Sequence, residues 1–172
     1  MEKIYNVCKS MCKYRKWKYE EDISKWDKII DVYDEYGNLV KIIFIDNQKI
    51  TMNILKEYIH YLEYQHINHC ILIHKYDFTS SCLSTLKKIR HRILIELFTY
   101  GFMSHDIMTH KLVPMHEKTS IDEKEWVIKK YGIHIPVLLI TDPVCKFMGF
   151  KEDDIIKIYR RNHIIYRIVK KE

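Results

Sequence analysis

Apolar residues recur at three- and four-residue spacing near the start of the chain. Ile4, Val7, Cys8, Met11 and Cys12 line one side of a predicted amphipathic helix over residues 2–16. Two β-rich runs follow, Ile-Ile-Asp-Val-Tyr-Asp at 29–34 and Val-Lys-Ile-Ile-Phe-Ile at 40–45. The Glu35-Tyr36-Gly37-Asn38 segment between them has turn chemistry, so the three pieces predict a hairpin. Thr51 is placed to cap a helix to about Tyr64, with Ile54, Leu55, Tyr58, Ile59 and Leu62 on one face. Residues 70–74 predict a short buried strand, Thr79-Ser80-Ser81 opens a helix through about Ile89, and residues 93–98 predict another strand. The first half therefore has α/β character.

The second half is punctuated differently. Leu112-Val113-Pro114 predicts extended chain. Ser120-Ile121-Asp122-Glu123 has the form of a capping box, in which the Ser hydroxyl takes a free N–H and the Glu answers from the third position. That helix runs to Tyr131, where Gly132 is placed to end it. Asp142-Pro143 marks a second start, with an Asp cap and Pro at the first helical position, and Gly149 closes the short helix. Residues 155–160 and 164–169 predict two final strands joined by a tight turn at 161–163. No internal repeat or Gly/Ser linker separates the halves.

Composition narrows the function classes. The chain has 172 residues and 47% hydrophobic side chains, enough for a sizeable core in one ordinary domain or two small ones. No apolar run reaches the roughly 18 residues of a membrane span, and the charged Met1-Glu2-Lys3 start is no signal-peptide core. The only glycines are Gly37, Gly101, Gly132 and Gly149, whose spacing writes neither GxGxxG nor a Walker loop. Five scattered cysteines read as reduced thiols of an intracellular protein. The net charge of +6 splits evenly about residue 103, so any basic surface is local. The clusters are Lys9, Lys13, Arg15, Lys16 and Lys18; then Lys87, Lys88, Arg90 and Arg92; then Lys157, Arg160, Arg161, Arg167, Lys170 and Lys171. Each reads first as a solvated face.

Few constellations carry chemistry. Cys8 and Cys12 lie one helical turn apart, and His66, His69 and Cys70 are close in sequence, but neither set supplies the converging ligands of a zinc site. Cys145 beside Lys146 invites a lowered thiol pKa, yet it sits in an apolar segment that favours burial. His105, His110 and His116 are candidate bases with no nucleophile fixed near them. A metal-dependent nuclease commonly places (Asp/Glu)-x-Lys on a strand; the one instance, Asp122-Glu123-Lys124, falls in a helical first turn. The segment from Lys75 through Thr79, Ser80 and Ser81 is more suggestive. A strand ends and a helix begins with three hydroxyl residues, where free N–H groups suit a phosphate; a plain helix cap is the alternative. Lys87 and Lys88 lie toward the far end of the same helix.

From residue 108 the chain resembles a known family. Thr109-His110-Lys111-Leu112-Val113-Pro114-Met115-His116 resembles the H-x-L-V-P-x-H signature of RNA polymerase subunit 5, a eukaryotic subunit whose carboxyl-terminal domain has an archaeal counterpart. Asp122-Glu123-Lys124 through Lys130-Tyr131 resembles its charged helix. Asp142-Pro143-Val144 with Phe147-Met148-Gly149-Phe150 resembles D-P-V-x-x-Y-x-G-L. Ile155-Ile156-Lys157-Ile158 with Arg160, then Tyr166-Arg167-Ile168, resembles the closing strands. Three departures stand out: Ile135-Pro136-Val137 replaces Leu-Pro-Arg, Asp153 replaces a Gly, and the last loop is cut to a tight turn around Asn162. The first half matches more weakly, with residues 70–89 laid on the family's jaw domain.

The resemblance implies an α/β (α+β) protein: an N-terminal α/β jaw domain over 1–103 and a small C-terminal α+β assembly domain over 104–172. It implies a non-catalytic subunit without cofactor or metal. Its partners would be the largest polymerase subunit, neighbouring small subunits and downstream duplex DNA contacted without sequence preference, with no membrane and no homo-oligomer. His110, Leu112, Val113, Pro114, His116, Pro136, Asp142, Pro143 and Gly149 would form the docking surface and its framework. Lys75, Thr79, Ser80, Ser81, Lys87 and Lys88 would face DNA. The setting would be a polymerase complex in the nucleus of a cell. For a large DNA virus, which the shortened jaw and the glycine-poor composition suggest, it would be the cytoplasmic factory or virion. A stand-alone DNA-binding factor and a metal-dependent nuclease are the rival readings.

Overall fold

The computed structural model describes residues 2–19, 28–46 and 50–171. The chain forms two units, Met1–His105 and Asp106–Glu172. Both mix helix with sheet.

The first unit runs α1 (Glu2–Tyr14), β1 (Lys18–Tyr19), β2 (Ile29–Tyr33), β3 (Leu39–Ile45), α2 (Met52–Tyr64), β4 (His69–His74), α3 (Ser80–Ile89) and β5 (Leu94–Thr99). Its strands lie in sequence order in one sheet. β1, β2 and β3 pair antiparallel, whereas β3, β4 and β5 pair parallel. The β2–β3 hairpin is tied by Asp34, whose carboxylate accepts the Tyr36 and Asn38 N–H groups at 2.9 and 2.8 Å. Gly37 sits there at φ +84°, a conformation that suits glycine.

Parallel strands are buried on both faces, so their side chains need cover on each. Ile43, Ile45, Cys70 and Leu72 pack beneath Leu55, Ile59 and Leu62 of α2 and Cys82, Leu86 and Ile89 of α3. On the opposite pleat, Ile30, Val32 and Ile42 meet Tyr5, Cys8 and Cys12 of α1. The predicted stripe of α1 is buried as a set, with Tyr5 added to it.

α1 stops at Tyr14, short of residue 16. Lys16 turns to φ +59°, and its N–H donates to the Lys13 carbonyl at 3.1 Å while Trp17 N–H donates to Cys12 at 2.8 Å. This is a Schellman closure with lysine where glycine is usual. α2 ends the same way: His66 at φ +54° donates to Glu63, and Ile67 donates to Leu62.

Arg15 leaves the surface cluster in which its sequence neighbours place it. Its side chain is only 3% exposed. Both guanidinium arms reach Glu96 of β5, at 2.7 and 2.8 Å. His69 Nε2 lies 2.7 Å from the same carboxylate, and the Trp17 ring stacks 4.8 Å from the guanidinium carbon. The pair joins the end of the first helix to the last strand of the sheet.

The second unit runs β6 (Met115–Lys118), α4 (Ile121–Tyr131), β7 (Val137–Leu139), α5 (Pro143–Met148), β8 (Ile155–Tyr159) and β9 (Ile164–Lys170). Its sheet has the order β6-β8-β9-β7, antiparallel except for the β9–β7 pair. One face packs Leu138, Ile156, Ile158 and Val169 with Cys145 of α5. On the other face Val127 of α4 covers Ile135 and Ile155, with Tyr166 and Ile168 beside them.

Three strands were not anticipated by the hydrophobic pattern: β1, β6 and β7. Each is two to four residues long, too short for a period to register. Leu112-Val113 is a turn, where extended chain was expected. Val113 N–H donates to the His110 carbonyl at 2.8 Å, and the His110 ring accepts the Leu112 N–H at 3.3 Å. These bonds bend the chain, and strand begins only at Met115.

The Glu96 pair generates a prediction. Burial by itself would raise the Glu96 carboxyl, but the Arg15 charge and the bonds from His69 and Arg15 outweigh it and hold the pKa at about 2. An unfolded Glu titrates near about 4.3. The pair's contribution is therefore fully present above that value and is lost as pH falls through about 2. Urea unfolding at pH 5 and pH 3 should show a loss on the order of 1–3 kcal/mol in the wild type. The Glu96→Gln protein should be less stable by about 3 kcal/mol at pH 7, and its loss across that window should be smaller than that of the wild type.

Candidate functional site

The helix-start segment lies at the carboxyl end of the parallel ladder. Lys75 N–H donates to the Ile45 carbonyl at 3.1 Å, and Tyr100 N–H to His74 at 2.9 Å, so β3, β4 and β5 end together. Open α/β sheets commonly place ligands at such ends. The loop that follows is pinned by Phe78, which is buried, bridges to Ile50 and meets the His74 ring edge-on at 4.8 Å.

Thr79 is the cap of α3. Its hydroxyl accepts the Cys82 N–H at 3.4 Å and lies 3.0 Å from the Ser81 hydroxyl. Ser80 and Ser81, at the first two helical positions, are exposed, as is Lys75, whose ammonium lies 5.4 Å over the Tyr76 ring. Lys87 and Lys88 are exposed in the last turn. At 1.5 Å per residue, Ser80 and Lys87 stand roughly 10 Å apart along the axis. The six residues expected to face DNA thus fall into two groups at opposite ends of α3.

What joins the two ends is a face missed by residue-by-residue reading. Cys82, Leu86 and Ile89 turn inward, which leaves Ser80, Ser84 and Lys87 along the outer side. Helical spacing alone was enough to find Ser84. No carboxylate lies between Asp77 and Glu96 in the sequence, so this face is uniformly cationic or neutral.

In the second unit the nine docking candidates divide by role. Asp142 caps α5, accepting Val144 N–H at 2.8 Å and Cys145 N–H at 3.4 Å. Pro143 follows at the first helical position. Gly149 closes the helix at φ +70°, its N–H donating to Lys146 while Phe150 N–H donates to Cys145. His116 is buried; its Nδ1 lies 2.8 Å from the Pro114 carbonyl, to which it donates. Burial pushes its pKa down, against the pull of that bond, so the ring stays neutral at pH 7. His110, Leu112 and Pro136 are exposed, and Val113 and Pro114 are half-buried. Framework and surface are therefore interleaved along the chain.

The Ser120 hydroxyl accepts the Glu123 N–H at 3.2 Å, as the capping pattern predicts. Glu123 does not reach back. It takes the Lys157 ammonium at 2.7 Å and the Tyr166 hydroxyl at 2.9 Å, and the Lys157 bond holds its carboxyl below the usual range. The helix is thereby tied to the sheet beneath it.

The catalytic constellations do not assemble. His105 lies 2.7 Å from the Ser104 hydroxyl, while His110 and His116 are engaged with local backbone. All five cysteines are buried. Burial pushes the Cys145 thiol up to about 12, with Asp142 and Asp154 adding to it, opposite to the lowering that Lys146 invites. Among the described residues no three His, Cys, Asp or Glu side chains converge as metal ligands. Lys124 of the nuclease-like triplet donates to the Asp153 carbonyl at 2.7 Å. Among the described residues no helix is long and apolar enough to cross a membrane.

The sequence pattern of the family described as RNA polymerase Rpb5, C-terminal domain, matches residues 105–169, nearly the whole second unit. The chain is 39% identical over 71 residues to DNA-directed RNA polymerase subunit Rpo5 of Methanothrix thermoacetophila, covering 37% of this chain and 91% of that protein. For Rpo5 of Sulfurisphaera tokodaii the identity is 39% over 72 residues, 37% of this chain and 86% of that one. A longer likeness, 23% identical over 144 residues, links it to DNA-directed RNA polymerases I, II, and III subunit RPABC1 of Caenorhabditis elegans. That alignment covers 79% of this chain and 68% of the relative, and so extends into the first unit.

The division into framework and surface is testable by unfolding, followed through the fluorescence of Trp126 in a chain carrying Trp17→Phe and Trp26→Phe. Asp142→Ala removes a helix cap and should lower stability by about 1 kcal/mol. Gly149→Ala forces a side chain into the left-handed region and should cost about 1–2 kcal/mol. Pro136→Ala, at an exposed position, should change it by less than about 0.5 kcal/mol.

Proposed function

The chain belongs to the family of RNA polymerase subunit 5, and on that premise we propose that its second unit docks on the largest polymerase subunit while its first unit forms part of the jaw around downstream DNA. The chain is a non-catalytic subunit of a DNA-directed RNA polymerase, and its place is within that complex. In a cell the complex is nuclear; in a large DNA virus it occupies the cytoplasmic factory or the virion. The neighbouring small subunits complete its protein contacts, and the chain joins as one copy. The observation that carries the reading is the extent of the match to a short relative: 91% of the Methanothrix Rpo5 finds its counterpart in 37% of this chain. A domain of that size with no assembled catalytic group is suited to holding larger subunits together.

Docking uses the exposed His110, Leu112 and Pro136 with the half-buried Val113 and Pro114, on a framework set by His116, Asp142, Pro143 and Gly149. The jaw role rests on the first unit's open helix start at Lys75, Thr79, Ser80 and Ser81 and on Lys87 and Lys88 at the other end of α3. The two groups engage separate phosphates of one backbone. Such contacts carry no base information, so binding is independent of sequence and steep in salt.

Tagged chain expressed in its native or infected cell should copurify with the two large polymerase subunits in fixed stoichiometry. Recovery of the chain alone, in salt that keeps polymerases intact, would return the stand-alone readings to the front. In the assembled enzyme, Lys87→Ala with Lys88→Ala should lower the slope of log affinity for downstream duplex against log salt by about 2, with assembly unchanged. An unchanged slope removes those lysines from the jaw. The isolated chain should leave DNA intact with divalent metal present; cleavage that a carboxylate substitution abolishes would restore the nuclease reading.

A further inference from the structure

Three aromatic rings of the second unit gather beside α4. Trp126 and Tyr131 come from the helix and Tyr166 from β9. The Trp126 centroid lies 6.3 Å from that of Tyr131 and 6.1 Å from that of Tyr166, and the two tyrosines are 6.3 Å apart. The Trp126 plane stands at 86° to Tyr131 and at 66° to Tyr166, so it walls off the other two and does not stack on them. Tyr166 is anchored by its hydroxyl, which donates to Glu123 at 2.9 Å, and by its packing on Val127, Ile135 and Ile155. Trp126 is 48% exposed and Tyr131 39%, so the cluster opens to solvent.

A cation already sits on these rings. The Lys130 ammonium lies 4.6 Å over the Trp126 ring and 5.2 Å over the Tyr131 ring. The negative faces of aromatic rings attract positive charge, most strongly at tryptophan. Residues four apart on a helix are surface neighbours, so Asp122, Trp126 and Lys130 form one stripe. Asp122 and Glu125 are exposed, and among the described residues neither is ion-paired. Glu123, the carboxylate nearest Tyr166, is taken up by Lys157 at 2.7 Å.

We propose that Trp126, Tyr131 and Tyr166 form a seat for a methylated lysine carried on a basic peptide segment, and that Lys130 is the internal occupant it displaces. A plain ammonium is strongly hydrated, so exchanging Lys130 for another unmodified lysine gains nothing. Methylation keeps the positive charge, weakens its hydration and adds apolar contact with the rings. The seat therefore selects by methylation state. The carboxylates of Asp122 and Glu125 suit basic residues on either side of the methylated lysine. They repel the phosphate of a choline headgroup, which makes a lipid surface the less suited source of the same cation. The three rings include none of the residues assigned to docking or to the jaw, so the inference depends on neither.

The test is calorimetry on the full chain, with the Trp126 indole N–H followed by NMR to locate the contact. Three probes share one short Arg-rich peptide: a central trimethyllysine, plain lysine, and the neutral isostere with a tert-butyl carbon in place of the nitrogen. The trimethyllysine peptide should bind about tenfold more tightly than either of the others and should shift the indole resonance. Trp126→Ala should erase that preference, and Tyr131→Leu should reduce it, with circular dichroism matching wild type in both. Lys130→Ala should tighten trimethyllysine binding about threefold, because the internal competitor is gone. Equal binding of the isostere would reduce the rings to an apolar contact and overturn the proposal. A preference that survives Trp126→Ala, or no preference for methylation, overturns it as well. Weaker binding in Lys130→Ala would remove that lysine as the displaced occupant. Binding to phosphatidylcholine vesicles without binding to the trimethyllysine peptide would assign the seat to a lipid headgroup and overturn the peptide reading.

Discussion

Three parallel strands, β3, β4 and β5, carry apolar side chains on both surfaces, and both surfaces must be kept from water. The rest of the first unit follows from that need. The parallel connections supply α2 and α3 to one face, and α1 closes the other from the start of the chain. A buried ion pair, Arg15 with Glu96, fastens that closing helix to the far side of the sheet. Because each crossover helix begins where a strand ends, the start of α3 is delivered to the same end of the ladder as Lys75. The proposed DNA-facing surface is thus a by-product of how the sheet is covered.

The second unit has the opposite economy. It sets two short helices on a four-stranded sheet, and one of them, α5, is six residues long. Small units cannot enclose all the apolar surface their strands present. What is covered becomes framework: Val127, Ile155, Cys145 and Val169. What the helices do not cover stays exposed, at Met115 and Ile164 on the sheet and at Leu112 in the turn before it.

Local signals were legible in the sequence, and long-range ones were not. The apolar stripe of α1, the hairpin turn at Glu35-Tyr36-Gly37-Asn38, the Ser120 and Asp142 caps and the Gly149 closure all depend on residues within a few positions of one another. Arg15 meets Glu96 across 81 positions, and no local pattern distinguishes it from the solvated lysines around it. Glu123 had two available partners: the backbone behind it, which sequence favours, and Lys157 with Tyr166, which only folding brings near. β6 and β7 escaped notice because three or four residues do not define a period. At the candidate sites, residue types were readable from the sequence. Distances were not, and only the helix geometry sets Lys87 and Lys88 about two turns from Ser80.

The helix ends at Lys16 and His66 bear on the part of folding that the native contacts do not display. Each holds an L-residue in the left-handed region, a local strain of about 1–2 kcal/mol that a glycine would avoid. Yet a glycine there would also widen the range of shapes open to the denatured chain, and with it the disorder surrendered on folding, by about 0.4–1 kcal/mol. With only four glycines in 172 residues, this polypeptide starts its descent from a comparatively narrow ensemble. Part of what its strained corners cost the native state is offset in the unfolded one.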